Sequence, residues 1–313
     1  MKGLTNYITE WAWIDGMMSL FILIDDTYQE LPLSFVPNRK YTPGGQPTFS
    51  DSEVITIALF GEMVFGGDED KTLHFIRPYH LDLFPELLDN SRFNRRKHQL
   101  AETMEAIRCR LRDRWRLSHP VAADVAHLRL GDSAPIIVCT YGRGRCCQSI
   151  PLDWRDEWFG VCTSKKAKFF GARCHVTTTL DQMIDTWLLA PGSYEDRKPL
   201  ISLLEGQQGL SLIGDKGYVS DELEDRLWAV GHQLLLALKR KNQKQQWPVG
   251  IQKILGHLRH NVETAFSVLT SVFNFEKLGS RSLSGLIVRT TTKILAHTVS
   301  FFLAEILTPQ LSN

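Results

Sequence analysis

At His119-Pro120 the hydrophobic pattern of this 313-residue chain changes period, and that change limits how the chain can be built. Before it, apolar residues recur at helical spacing, as in the stripe Leu100, Met104, Ile107 and Leu111 within 92–116. After it, short apolar runs alternate with turn residues. Strands are expected at 128–139, 168–177 and 183–190, the last closed by the turn Pro191-Gly192-Ser193. A helix at 197–204, a strand at 210–213, a helix at 221–230, a strand at 233–239 and a helix holding Glu263 should follow. Three strands followed by alternating helices and strands describe an α/β fold, a mixed sheet covered by helices. The expected domains are an all-helical 1–118 and a sheet-containing 119–313 that ends in a C-terminal packing helix.

Ser50, with Glu53 three residues later and Val54, Ile55 and Ile57 beyond, is a capping-box start for a helix. The stretch 38–47, with two prolines and two glycines, should be the loop before it. The apolar stretch 11–24 carries Asp15 and is too short to cross a bilayer, so it reads as a buried helix. In 286–307, Arg289, Lys293, His297 and Glu305 should form one charged face of an amphipathic helix. No membrane span and no signal peptide are expected. Six cysteines without CxxC pairs point to free thiols in a reducing, cytoplasmic setting. Cys162, Cys174 and His175 match no zinc spacing, so they read as core residues, as does the pair Cys146-Cys147.

The formal charge of +1 taken as a sum argues against a nucleic-acid enzyme, but its distribution does not. Residues 92–116 carry nine basic residues against Glu102, Glu105 and Asp113, and 239–259 carry Lys239, Arg240, Lys241, Lys244, Lys253 and Arg259 with no acid. Between these two tracts lie two acidic positions set in ordered contexts, and a third follows the second tract. Asp132 lies inside the strand-like run Leu130-Gly131-Asp132-Ser133-Ala134, and Asp215 follows the run Leu210 to Ile213 in Gly214-Asp215-Lys216-Gly217-Tyr218. Glu263 lies at the edge of a helical stripe of Val262, Phe266, Leu269 and Phe273, one turn after Arg259. Each has a plain alternative. Asp215 reads equally as a turn residue, Asp132 as a residue bonding neighbouring amides, and Arg259–Glu263 as a surface pair spaced i, i+4. Asp124 is the rival to Asp132 if the strand boundary shifts.

The order Asp, Asp, Glu in these contexts resembles the DDE transposases of bacterial insertion sequences, most closely the insertion-sequence nine-eight-two family. The resemblance extends to Thr48-Phe49-Ser50-Asp51-Ser52-Glu53-Val54, Ser91-Arg92-Phe93-Asn94-Arg95-Arg96, Phe169-Phe170-Gly171-Ala172-Arg173-Cys174-His175, Leu238-Lys239-Arg240-Lys241-Asn242 and Gly279-Ser280-Arg281-Ser282-Leu283-Ser284-Gly285-Leu286. Arg173 stands where a Lys is usual, and Thr270 stands where many relatives carry a basic residue.

The resemblance implies a ribonuclease-H-like sheet and a triad of Asp132, Asp215 and Glu263. Two Mg²⁺ ions roughly 3.5 to 4 Å apart, with Mn²⁺ as a substitute, would be held by these hard oxygen ligands. It also implies double-stranded DNA partners, namely terminal inverted repeats and target DNA, bound by a homodimer or higher assembly in a bacterial, nucleoid-associated setting. Candidate DNA contacts are Arg95, Arg96, Lys239, Arg240, Lys241, Trp247 and Arg259; for Arg95 and Arg96 a solvated face, and for Trp247 a packing anchor, remain open. The activity alternatives are an inactive DNA-binding derivative and a nuclease that cuts without joining. Three carboxylates gathered without metal should raise the proton affinity of at least one of them.

Overall fold

The computed structural model describes residues 10–37, 47–162, 166–239, 243, 246–276, 278–280 and 282–307. Its contacts divide the chain into two compact units, one of Met1–Trp115, Ser271–Phe275 and Ser284–Asn313, the other of Arg116–Thr270 and Glu276–Leu283.

The first unit is helical: α1 (Glu10–Gln29), α2 (Asp51–Phe65), α3 (Glu69–Tyr79), α4 (Asn90–Gln99), α5 (Ala101–Ser118, through Trp115) and α9 (Leu283–Leu307, from Ser284). The expected capping box is present at the start of α2. Ser50 Oγ accepts from the Glu53 N–H at 3.1 Å, and the Ser50 N–H donates to Glu53 Oε2 at 2.6 Å. The single helix expected over 92–116 is two, because the backbone leaves helical geometry at Leu100 while the apolar stripe runs on through the break.

The C-terminal helix is the larger departure. It packs in the helical unit rather than with the sheet, and it is buried almost continuously from Gly285 to Val299. Lys293 and His297, expected on a wet face, are both 2% exposed. Lys293 Nζ reaches Glu62 Oε2 at 2.5 Å, a buried charge matched by a buried partner. Thr290, Thr291 and Thr292 return their hydroxyls to carbonyls one turn back at 2.8, 3.0 and 2.7 Å, so burial leaves these groups bonded.

The second unit holds a six-stranded mixed sheet of β1 (Leu128–Thr140), β2 (Phe159–Cys162), β3 (Ala167–Thr178), β4 (Ile184–Pro191), β5 (Ser211–Gly214) and β6 (Leu234–Ala237). β3 lies antiparallel to β1, β2 and β4, whereas β1, β5 and β6 run parallel. The helices α6 (Leu200–Leu203) and α7 (Asp221–Gly231) cover the parallel side, where Leu203, Leu212, Tyr218, Leu227 and Leu235 share one apolar core. α8 (Val249–Ser271) carries the third acidic residue on this unit, up to Thr270. The strand β2 was not expected; four residues are too few to show alternation. Among the described residues, no helix is long and apolar enough to cross a membrane. The six cysteines are free thiols, and Cys162 and Cys174 are buried.

Candidate active site

β1 and β5 pair in parallel, with Leu130 opposite Ile213 as the last registered pair. Two residues past that pair stand Asp132, still within β1, and Asp215, just beyond β5, so the parallel register brings the two residues level with each other. Asp132 lies within β1 and its carboxylate accepts from the Ser133 N–H at 2.8 Å. Burial pushes its proton affinity up to a pKa of about 6, with a smaller push from the charges of Asp196 and Asp215, against the Ser133 bond and the charge of Arg259. The expected gathering of carboxylates does raise one of them, but loss of water is the main cause. Asp124, the rival, is exposed in the turn before β1.

Asp215 follows the last residue of β5 and opens a short turn, its Oδ1 accepting from the Lys216 N–H at 2.6 Å. The turn closes by sinking Tyr218, 1% exposed, into the core. Its ring lies across Gly214, where a Cβ would come within 2.8 Å of Tyr218 Cδ2; that close approach is why glycine precedes the aspartate.

The third carboxylate comes from α8. Leu255, Val262, Ala265 and Leu269 bury one face of this helix, with Ala265 in place of the expected Phe266, which is half-buried. The side chain of Asn261 ties the helix to the turn after β3 by donating to the Leu180 carbonyl at 3.1 Å. Glu263 then stands exposed beside Arg259, whose guanidinium lies 3.5 Å from Glu263 Oε1 and 3.3 Å from Asp215 Oδ1. His260 Nδ1 approaches Glu263 Oε2 at 3.2 Å. Arg259 is therefore more than half of a surface pair: one cation joins two carboxylates from different elements and acts electrostatically on the third.

A family model described as a transposase DDE domain matches residues 123–283, just over half of the chain and nearly all of the sheet-containing unit. The chain belongs to this family of DDE transposases. Membership implies an enzyme that cuts and joins DNA, and therefore DNA substrates. No curated protein and no solved structure matches it.

DDE transposases use divalent metals. The donor chemistry of the three acids suits a hard divalent ion, since all are carboxylates and half-buried Asp132 bonds to no cation among the described residues. Among the described residues, no three His, Cys, Asp or Glu side chains converge closely enough to hold an ion. Arg259 pairs instead with two of the acids, Asp215 and Glu263.

The expected DNA contacts of the transposase separate into distinct groups. Arg95 is exposed on α4, its Nε donating to the Ser91 carbonyl at 3.4 Å. Arg96 turns inward, donating to the Phe49 carbonyl at 3.1 Å and pairing with the buried Asp51. The rest of the first basic tract is also largely committed to partners. Lys97 pairs with Glu69, Arg108 with Glu105, Arg110 and Arg114 with Glu30, and Arg116 with Asp185. Lys239 lies 5.6 Å from the ring of Trp247, whose indole N–H donates to the Ala237 carbonyl at 2.9 Å, the geometry of a packing anchor. Arg240 and Lys241 lie outside the described residues.

Sequence reasoning missed Asp196, whose Oδ1 accepts from Ser133 Oγ at 2.5 Å beside Asp132. The available signal was its place just past the turn that ends β4, which is the same context that marks Asp215 after β5.

Proposed function

We propose that this transposase, resembling the insertion-sequence nine-eight-two family, nicks the ends of its own mobile element and joins the freed 3′ hydroxyls to target DNA. Asp132, Asp215 and Glu263 would hold the metal ions, Mg²⁺ or Mn²⁺, which when bound supply the charge that activates the attacking oxygen and stabilises the leaving one. In the first step water attacks the phosphorus and the 3′ oxygen leaves with a proton. In the second that 3′ hydroxyl attacks a target phosphodiester, forming one P–O bond as one breaks. Arg259 places a fixed positive charge among the three acids, suited to a phosphate that approaches them. The observation that carries this reading is that Arg259 bridges Asp215 and Glu263, from a strand end and a helix, while the β1–β5 register brings Asp132 level with Asp215. The strand order β4-β3-β1-β5-β6, with the first three antiparallel and the last three parallel, supports a ribonuclease-H-like reading of the sheet.

The deciding experiment supplies pre-cleaved element ends, a target plasmid and Mg²⁺ or Mn²⁺. Joined products are expected. Cleavage of uncut ends without joining would identify a nuclease, and end binding without either reaction would identify an inactive derivative.

The two arginines at the start of α4 should behave differently. Arg95→Ala should weaken end binding and lower the salt slope by about one phosphate contact. Arg96→Ala should instead destabilise the fold by about 2 kcal/mol by stripping a charged hydrogen-bond partner from buried Asp51. Gel shifts across a salt series and denaturant unfolding of both variants test this. An unchanged slope for Arg95→Ala would place that residue off the DNA.

A further inference from the structure

Behind Asp132 lies a polar group that the triad does not account for. Ser133 follows Asp132 on β1 and does two things. Its N–H donates to the Asp132 carboxylate at 2.8 Å, and its hydroxyl donates to Asp196 Oδ1 at 2.5 Å. Arg173 Nη1 reaches the same hydroxyl from β3 at 3.3 Å and is itself fixed by donating from Nη2 to the Val161 carbonyl at 2.9 Å. Opposite Ser133 in the β1–β3 register stands His175. Its side chain is 1% exposed, neither ring nitrogen has a hydrogen-bond partner among the described residues, and Nδ1 lies 3.8 Å from Asp196 Oδ1. Burial keeps this ring neutral, down to a pKa of about 4.

Asp196 is not held there by its own strand. It sits in the connection after β4, which is pinned where the Gly192 N–H donates to the Gly171 carbonyl at 3.0 Å and the Ser193 N–H to the Glu157 carbonyl at 2.9 Å. From that connection its side chain reaches Ser133 on one side. On the other, its second oxygen lies 3.5 Å from where a Cβ on Gly217 would stand, beside the Asp215 turn. Among the acidic neighbours that act on Asp132, Asp196 acts more strongly than Asp215.

We propose that Asp196 is a positioning residue for Asp132: through the Ser133 hydroxyl it fixes the amide that orients the Asp132 carboxylate toward its metal. This rests on Asp132 being a metal ligand, as argued above. Partners one bond removed from a ligand hold its orientation, and their loss costs about tenfold to a hundredfold in metal affinity. Among the described residues His175, 3.8 Å away, makes no hydrogen bond to Asp196, which leaves that acceptor oxygen to Ser133.

The test measures Mn²⁺ binding to the full-length chain without DNA, by calorimetry or by the paramagnetic resonance of free Mn²⁺, with folding of each variant checked by circular dichroism. Asp132→Ala is the control for the underlying reading. Asp196→Ala and Ser133→Ala are each expected to raise the Mn²⁺ Kd by about tenfold or more. The double variant should be no worse than either single one, because both break one chain of contacts. Asp196→Asn, whose amide oxygen still accepts from Ser133, should stay within about threefold of wild type.

Loss of affinity in both Asp196→Ala and Asp196→Asn with none in Ser133→Ala would make Asp196 a ligand and overturn the proposal. So would a lowered melting temperature in Asp196→Ala with an unchanged Kd. If Asp196→Ala does not fold, Ser133→Ala decides alone: weakened binding supports the proposal and unchanged binding overturns it. Unchanged Mn²⁺ binding in Asp132→Ala removes the ligand reading and the proposal with it, whereas weakened binding there alone removes only the proposal.

Discussion

Alanine at Asp132, Asp215 or Glu263 should lower metal-dependent cleavage of element ends by about a thousandfold or more while leaving end binding nearly intact. A carboxylate that holds a catalytic ion supports several kcal/mol of transition-state charge stabilisation, and each 1.36 kcal/mol is a factor of ten in rate. DNA affinity depends instead on basic surfaces and their released counterions. The three sites differ in what each substitution leaves behind. Removing Asp215 or Glu263 leaves Arg259 with its other carboxylate, so its guanidinium should stay in place. Removing Asp132 takes away the acid that Arg259 does not pair with and whose proton affinity burial raises. Single-turnover cleavage at saturating DNA, with gel shifts on the same preparations, tests all three. Cleavage near the wild-type rate in any one variant would remove that residue from the site.

Part of this candidate site was legible because Asp215 sits where a strand pattern ends, Asp132 within a strand pattern and Glu263 within a helical one. The run into Gly214-Asp215 announced a strand end, and the pattern through Leu130 placed Asp132 in a partner strand; the parallel register then joined them. What the sequence hid were partners far away in the chain. The i, i+4 spacing showed Arg259 beside Glu263, but nothing local showed that Arg259 also reaches Asp215. The basic tract at 92–116 looked like a phosphate-binding face because its acidic partners Glu30, Asp51, Glu69 and Asp185 lie elsewhere in sequence. The same blindness misplaced α9. A charge at every fourth residue implies a wet face unless a buried partner exists, and Glu62, in α2, is that partner for Lys293. Trp247 had two readings that the sequence could not separate, and its bond to the Ala237 carbonyl favours the packing one.

Asp132→Asn should melt several degrees above wild type at pH 7.5 in the absence of divalent metal, with the gain vanishing by about pH 4. An aspartate normally titrates at 3.8, and folding raises Asp132 to about 6. The fold therefore binds that proton more tightly than the unfolded chain does, so ionisation works against folding. The cost is absent below 3.8, grows between 3.8 and about 6, and is fully present above that. It amounts to about 3 kcal/mol, which corresponds to several degrees for a domain of this size. Asparagine keeps the shape and removes the charge. His175 shifts the other way: held neutral to about 4 against an ordinary 6.5, it loses stability for the fold as pH falls through that range. Since His175 is present in both proteins, its contribution lowers both curves in acid and cancels in their difference. A divalent ion that binds the folded site should stabilise wild type more than the variant, because the variant lacks the ionised oxygen. Calorimetric melting across pH 4 to 8, with and without Mg²⁺, measures both effects. A gain that does not change with pH would mean that Asp132 is solvated after all, and equal Mg²⁺ shifts in the two proteins would mean that it holds no metal.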